Sequence, residues 1–216
     1  MAGLHRVDVA PRRLAGWLDD FAARHGPPSV AVASDRLLIS SPDGAEASIS
    51  LIWGPVAQPD PVAELLEQVV RPRRLGALLV RRSSHAVGVF AHDELIAHTV
   101  GHHYVQGRTK AGGWSQQRYA RRRRNQAERA YAKAGEAAVR LLLPALDQLD
   151  GVILGGDAMA LREVLLEPDL APLNELADRL PRRVLPVPDP SLAVLREARR
   201  QWVAVPIALN DAARSH

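Results

Sequence analysis

The stretch 117–143 leaves this chain the least freedom in how it folds. Ala120, Ala127, Tyr131, Ala134, Ala138 and Leu142 step by seven, four, three, four and four residues. That spacing keeps all six on one face of an α-helix. Most of them are small, so the helix must lie close against a broad surface, and Pro144 stops it. The chain supplies a sheet for that surface. Apolar, β-rich runs occupy 75–81, 86–91 and 95–105, with His92-Asp93-Glu94 as a turn. Behind the helix come a buried strand at 151–154, helices at 158–166 and 172–180, a strand at 183–187 and a helix at 191–203. A three-strand meander followed by alternating helix and strand predicts a mixed sheet covered by helices, an α/β arrangement.

That element order resembles the ribonuclease H-like fold. The first third has another rhythm. Leu14, Trp17, Leu18, Phe21 and Ala22 form an amphipathic stripe within 11–25, and Gly26-Pro27-Pro28 ends it. Three short strands are expected at 29–33, 37–40 and 47–53, then a short helix at 62–70. Arg71-Pro72-Arg73-Arg74 breaks the pattern and serves as a linker. The expected organisation is a helix-plus-three-strand unit over 1–73, a main domain over 74–205 and a C-terminal tail over 206–216, α+β overall.

Composition enters by exclusion. With 47% hydrophobic and 24% charged residues the chain can bury a core. It has no cysteine, which removes disulfides, thiolate zinc sites and a cysteine nucleophile. No apolar run approaches a membrane span, and residues 1–8 lack the apolar core of a secretion signal, so a cytoplasmic protein with no membrane partner is expected.

The net charge of +4 is unevenly spread. Residues 101–140 hold ten cations (Arg108, Lys110, Arg118, Arg121, Arg122, Arg123, Arg124, Arg129, Lys133 and Arg140) against Glu128 and Glu136. That window is +8 and the remainder −4, the footprint of a polyphosphate partner. All but two of the chain's cations are arginine, whose planar fork suits phosphate.

The same window holds Gly112-Gly113-Trp114-Ser115-Gln116-Gln117. Paired glycines let backbone approach a partner closely. Trp114 can stack on a base or ribose, and Ser115, Gln116 and Gln117 bring uncharged hydrogen-bonding groups to a helix start. Four consecutive arginines cannot all be neutralised by Glu128, so an external anion is expected.

Lys110-Ala-Gly-Gly-Trp-Ser-Gln-Gln-Arg-Tyr-Ala-Arg-Arg-Arg123 resembles the release-factor-like peptidyl-tRNA hydrolases related to the Vms-type factors of ribosome quality control. It looks most like their actinobacterial and chloroflexal-type branch. Gly151-Val-Ile-Leu-Gly-Gly-Asp157 is a weaker echo of the same domain, and the resemblance covers about 75–203. It implies a catalytic domain similar to the central, ribonuclease H-like domain of eukaryotic and archaeal release factors. It also implies peptidyl-tRNA, ribosomal RNA and the large ribosomal subunit as partners, and no cofactor. Release factors place glutamine directly after Gly-Gly, and Vms-type relatives put one small residue between. Here Trp114 and Ser115 intervene, so register favours Gln116 and leaves Gln117 open. The implied activity is ester hydrolysis that frees a nascent chain from tRNA on a stalled ribosome. Gly112, Gly113 and the glutamines would be catalytic. Trp114, Ser115, Arg108, Lys110, Arg118, Arg121, Arg122, Arg124 and Arg129 would face RNA. The alternatives are an endonuclease removing the tRNA 3′ end, and a non-enzymatic ribosome-binding module.

Other constellations are weaker. His98, His102 and His103 cluster on one strand without a nearby carboxylate to complete a zinc site. Residues 75–82 hold no Asp or Glu, so two-metal chemistry is not expected. Asp157 reads as the N-cap of the helix that follows it.

Overall fold

The computed structural model describes residues 5–56, 59–102, 114–180 and 183–214; within 114–124 it describes the backbone and, of the side chains, Arg121. The chain divides into two compact units: Met1–Arg71 with Arg200–His216, and Pro72–Arg199.

In the first unit, strands β1 (His5–Val9), β2 (Ser29–Ala33), β3 (Arg36–Ser40) and β4 (Glu46–Ser50) share a sheet with a strand from the chain's far end. That strand, β10 (Val205–Leu209), lies between β1 and β4, giving the order β1-β10-β4-β3-β2, all antiparallel. This corrects two expectations. Among the described residues the unit has five strands, and most of 206–216 is a central strand and its following turn rather than a tail. Pro206 hid it, because proline lacks the N–H that a central strand uses. Pairing with β4 begins only at Ile207, so Pro206 lies outside that ladder. The third expected strand also ends earlier, at Ser50, and Trp53 sits in a turn. There it meets Trp202 edge-on, with ring centroids 5.1 Å apart.

Alternation fixes the faces of this sheet. Leu37, Ile39, Ala47, Ile49, Val205 and Ile207 are buried against α1 (Leu14–His25) and α2 (Pro61–Val70). Helix α1 contributes Leu14 and Phe21, and α2 contributes Leu65 and Val69. Pro11–Arg13 form a 3₁₀ turn before α1, and Gly26, at φ 88° and ψ 173°, takes a positive-φ conformation open to glycine that ends it.

The second unit carries the mixed sheet. Its strands β5 (Arg74–Arg81), β6 (Ser84–Ala91), β7 (Glu94–His102), β8 (Gly151–Gly156) and β9 (Val184–Leu185) stand in the order β7-β6-β5-β8-β9. Strands β5, β8 and β9 are parallel, and β6 is antiparallel to both its neighbours. In chain order within the unit this is 3-2-1-4-5, the ribonuclease H-like topology. Helix α3 (Trp114–Leu142) covers the sheet, starting three residues before the expected position. A 3₁₀ segment, Leu143–Gln148, follows it, then α4 (Ala158–Leu165), α5 (Ala171–Asp178) and α6 (Leu192–Val203). The stripe read from the sequence is buried from Ala127 onward: Ala127, Ala134, Ala138 and Leu142, joined by Ala130 and Ala137, with Tyr131 half-buried. Ala120 lies outside the described side chains.

Candidate functional site

The segment singled out by charge and motif joins the end of β7 at His102 to the start of α3 at Trp114. Its foundation is one edge of the mixed sheet. His102 pairs with Ser84, Ser84 with Arg81, and Val80 with Gly156. The carboxyl ends of β5, β7 and β8 therefore lie along a single edge, the usual place for ligands in open sheets with parallel strands.

Helix α3 runs across the sheet away from that edge. Leu142, at its C-terminal end, packs over Gly76 near the start of β5: a Cβ built on Gly76 falls 3.3 Å from Leu142 Cδ2. Tyr131 lies back at the carboxyl edge, within electrostatic reach of Asp157, Arg82 and Glu163. Between Tyr131 and Leu142 the helix rises ~16 Å, matching ~17 Å for five residues of β5. The part of α3 that precedes Ala127, its first buried position among the described side chains, adds ~20 Å of helix beyond. Arg121 and Asn125 there are exposed and Gln126 is half-buried. The exposed face continues through Glu128, Arg129, Ala132, Lys133, Glu136 and Arg140, so among the described side chains the helix buries alanines on one side and shows more cations than acids on the other.

The edge itself is held tightly. Gly156 has φ 107°, and a Cβ there would fall 2.0 Å from the Val80 carbonyl oxygen, so only glycine fits. The Asp157 backbone N–H then donates to that oxygen (2.8 Å). The Asp157 carboxylate caps α4 by accepting from the N–H groups of Met159 (2.9 Å) and Ala160 (3.3 Å). Arg81 is tied to this edge by an Nη1 hydrogen bond to the Val187 carbonyl (2.9 Å) and an ion pair with Asp189 (3.4 Å). The Tyr131 phenol is pushed above its ordinary value, first by burial and then by Asp157 and Glu163, with Arg82 opposing. It therefore stays protonated and neutral at physiological pH. Nothing in the spacing of Arg81, Arg82, Tyr131 and Asp157 announces this cluster; only the register brings it together.

The predicted residues distribute as follows. Arg108, Lys110, Gly112 and Gly113 lie outside the described residues. Trp114, Ser115, Gln116, Gln117 and Arg118 occupy the first turns of α3, and Arg122 and Arg124 the next, as backbone positions. Arg121 and Arg129 are exposed. His98 and His102 are exposed on the edge strand β7, and His103 lies outside the described residues. Among the described residues no group of three or more His, Asp or Glu comes together to hold a metal ion. No described helix is long and apolar enough to cross a membrane.

Comparison with known proteins gives a consistent result. Residues 73–208 match the family described as Actinobacteria/chloroflexi VLRF1 release factor. The chain is similar to peptide chain release factor subunit 1 of Aeropyrum pernix, 32% identical over 107 residues, 47% of this chain and 28% of that one. It is also similar to the subunit of that name from Thermococcus sibiricus, 33% identical over 98 residues, 44% of this chain and 24% of that one. The aligned part is thus about a quarter of each relative's length. Among solved structures, an archaeal translation termination factor, aRF1, aligns over 93% of this chain and 65% of its own, with 16% identity and a TM-score of 0.44.

Proposed function

From the premise that the chain belongs to the actinobacterial and chloroflexal VLRF1 release-factor family, we propose that it is a peptidyl-tRNA hydrolase acting in rescue of stalled ribosomes. One observation carries the reading. Gly112-Gly113-Trp114-Ser115-Gln116-Gln117 stands at the head of a long helix, inside a window of net charge +8. The substrate is the ester joining a nascent chain to the terminal ribose of tRNA. Its hydrolysis requires a placed water and donors for the oxyanion that develops as the water adds. Gln116, or Gln117 one position on, aligns the water through its side-chain amide. Backbone N–H groups in the first described turn of α3 serve the oxyanion. An ester is activated enough that no ionised base is needed. Trp114 packs against the tRNA end. Arg118, Arg121, Arg122 and Arg124 hold phosphates of tRNA or ribosomal RNA, contacts that are blind to sequence and sensitive to salt. The buried alanine face anchors α3 on the mixed sheet, and the ~20 Å preceding it carries the loop towards a recessed catalytic centre of the large subunit.

The test is co-sedimentation with large subunits carrying peptidyl-tRNA at 50 and 200 mM salt. Four phosphate contacts predict that affinity falls roughly 50- to 150-fold between the two. Arg121→Gln with Arg122→Gln should flatten that dependence. Gln116→Ala with Gln117→Ala should leave binding within about twofold and abolish peptide release. Binding indifferent to salt and to the arginines would refute the RNA contacts; undiminished release by the glutamine variant would refute the chemistry.

A further inference from the structure

The first unit holds a second concentration of cations. By sequence it is acidic, with eight arginines against ten carboxylates. Yet four of the eight, Arg12, Arg13, Arg24 and Arg214, line one open cleft of about 790 Å³ formed by β1, the Pro11–Arg13 turn, α1 and the turn after β10. Only Asp8 and Asp20 among the acids share that lining. All four arginines are exposed. Arg24 Nε donates to the Asp20 carbonyl (3.1 Å), which fixes its stem, and Arg214 stands 3.9 Å from Asp211. The Asp211 pair is exposed and holds Arg214 only weakly.

The cleft also has an aromatic wall. Trp17 lines it half-buried, stacked on Phe21 with centroids 5.4 Å apart and planes at 25°. Phe21 is fully buried in the core, so the indole rests on a rigid support. Planar cationic forks around an aromatic ring match a phosphate joined to a base: arginine holds the phosphate in two-point contact, and the base stacks on the indole. The volume falls within the range of small-ligand sites. We infer that this cleft binds a nucleotide, through its phosphate on the Arg12, Arg13, Arg24 and Arg214 cluster and its base on Trp17. An RNA strand and a free nucleotide offer the same chemistry. The inference stands apart from the hydrolase reading, because the α3 segment belongs to the other unit.

The assay uses the full chain carrying Arg121→Gln, Arg122→Gln, Arg123→Gln and Arg124→Gln, so that the α3 segment does not dominate binding. Two probes are measured by anisotropy at low salt: a labelled single-stranded oligoribonucleotide and a labelled ATP. Adding Arg12→Gln, Arg13→Gln and Arg24→Gln should weaken a bound probe at least tenfold and lower the salt slope by about two. The same three positions changed to lysine should keep most of the affinity, and Trp17→Ala should cost about tenfold. Loss of oligoribonucleotide binding alone assigns the cleft to an RNA strand; loss of ATP binding assigns it to a free nucleotide. If neither probe binds, or the glutamine triple variant binds as its parent does with an unchanged circular dichroism spectrum, the inference is overturned. Peptide release by the otherwise unaltered chain, with the cleft arginines changed, reads the hydrolase proposal separately.

Discussion

Anchoring of α3 on the mixed sheet can be tested at its C-terminal end, where Leu142 is fully buried over Gly76. Leu142→Ala removes three buried carbons and leaves a cavity that the close-packed sheet cannot collapse, at about 3 kcal/mol. Gly76→Ala acts in the opposite sense. Its Cβ arrives 3.0 Å from Leu149 Cδ1 and 3.3 Å from Leu142 Cδ2. Both atoms are ends of leucines that can shift a few tenths of an ångström, so overpacking costs about 1 kcal/mol. Together the changes partly cancel: Leu142→Ala removes one crowded contact, and the new methyl fills part of the cavity. The double variant should be about 1 kcal/mol more stable than the two single effects predict, the size expected for residues in contact. Hydrogen exchange at the β5 amides under mild denaturant reads this unit specifically, with the β4 amides as an internal control. Effects that add to within about 0.3 kcal/mol, or a Leu142→Ala cost below about 1 kcal/mol, would show that α3 is not seated on β5 as described.

Asp157→Ala removes the cap of α4 and should cost about 1 kcal/mol, read as a lower unfolding midpoint, whereas Asp157→Asn should retain most of it. The raised phenol of Tyr131 makes a stabilising contribution that is complete below pH about 10 and lost as pH climbs through the folded-state value. Tyr131→Phe should therefore lose less stability than the parent between pH 10 and 12; identical alkaline profiles would contradict this. Asp43 is held below its ordinary value, chiefly by the Ala45 N–H and then by His25, whose Nδ1 lies 2.7 Å away. Its contribution is present above pH about 3.8 and disappears as pH falls through the lowered value, so Asp43→Asn should make acid unfolding less steep, measured by circular dichroism.

Much of the second unit was legible because its signals are local. The alanine stripe of α3 is a period, the strands β5 and β6 are apolar runs, and Asp157 sits where a cap belongs. Burial of Ala127, Ala134, Ala138 and Leu142 follows from that period. The first unit was less legible. Strand β1 reads His-Arg-Val-Asp-Val, with only Val7 and Val9 turned inward, and β10 carries a proline. Neither strand has a reason to form by itself; each becomes a strand because the other end of the chain pairs with it. A pairing of such sequence separation leaves no local trace. The sheet edge that groups Arg82, Tyr131 and Asp157, and the cleft that collects Arg12, Arg24 and Arg214, were hidden for the same reason. Gly112-Gly113-Trp114-Ser115-Gln116-Gln117 was legible as a sequence motif, because its residue types and spacing are unusual. Its geometry was not, apart from the start of α3 at Trp114, three residues earlier than the apolar stripe indicated.

The central claim is that the head of α3, through Gln116 or Gln117, breaks the ester of peptidyl-tRNA. Mapping the 3′ end of the tRNA after reaction with purified large subunits carrying peptidyl-tRNA tests it most directly, with the freed peptide counted in the same tube. The account predicts free peptide and an intact CCA end for the unaltered chain, and neither peptide nor cleaved tRNA for Gln116→Ala with Gln117→Ala. A peptide released together with a shortened tRNA would contradict ester hydrolysis, and release that survives loss of both glutamines would contradict the role given to Gln116 and Gln117.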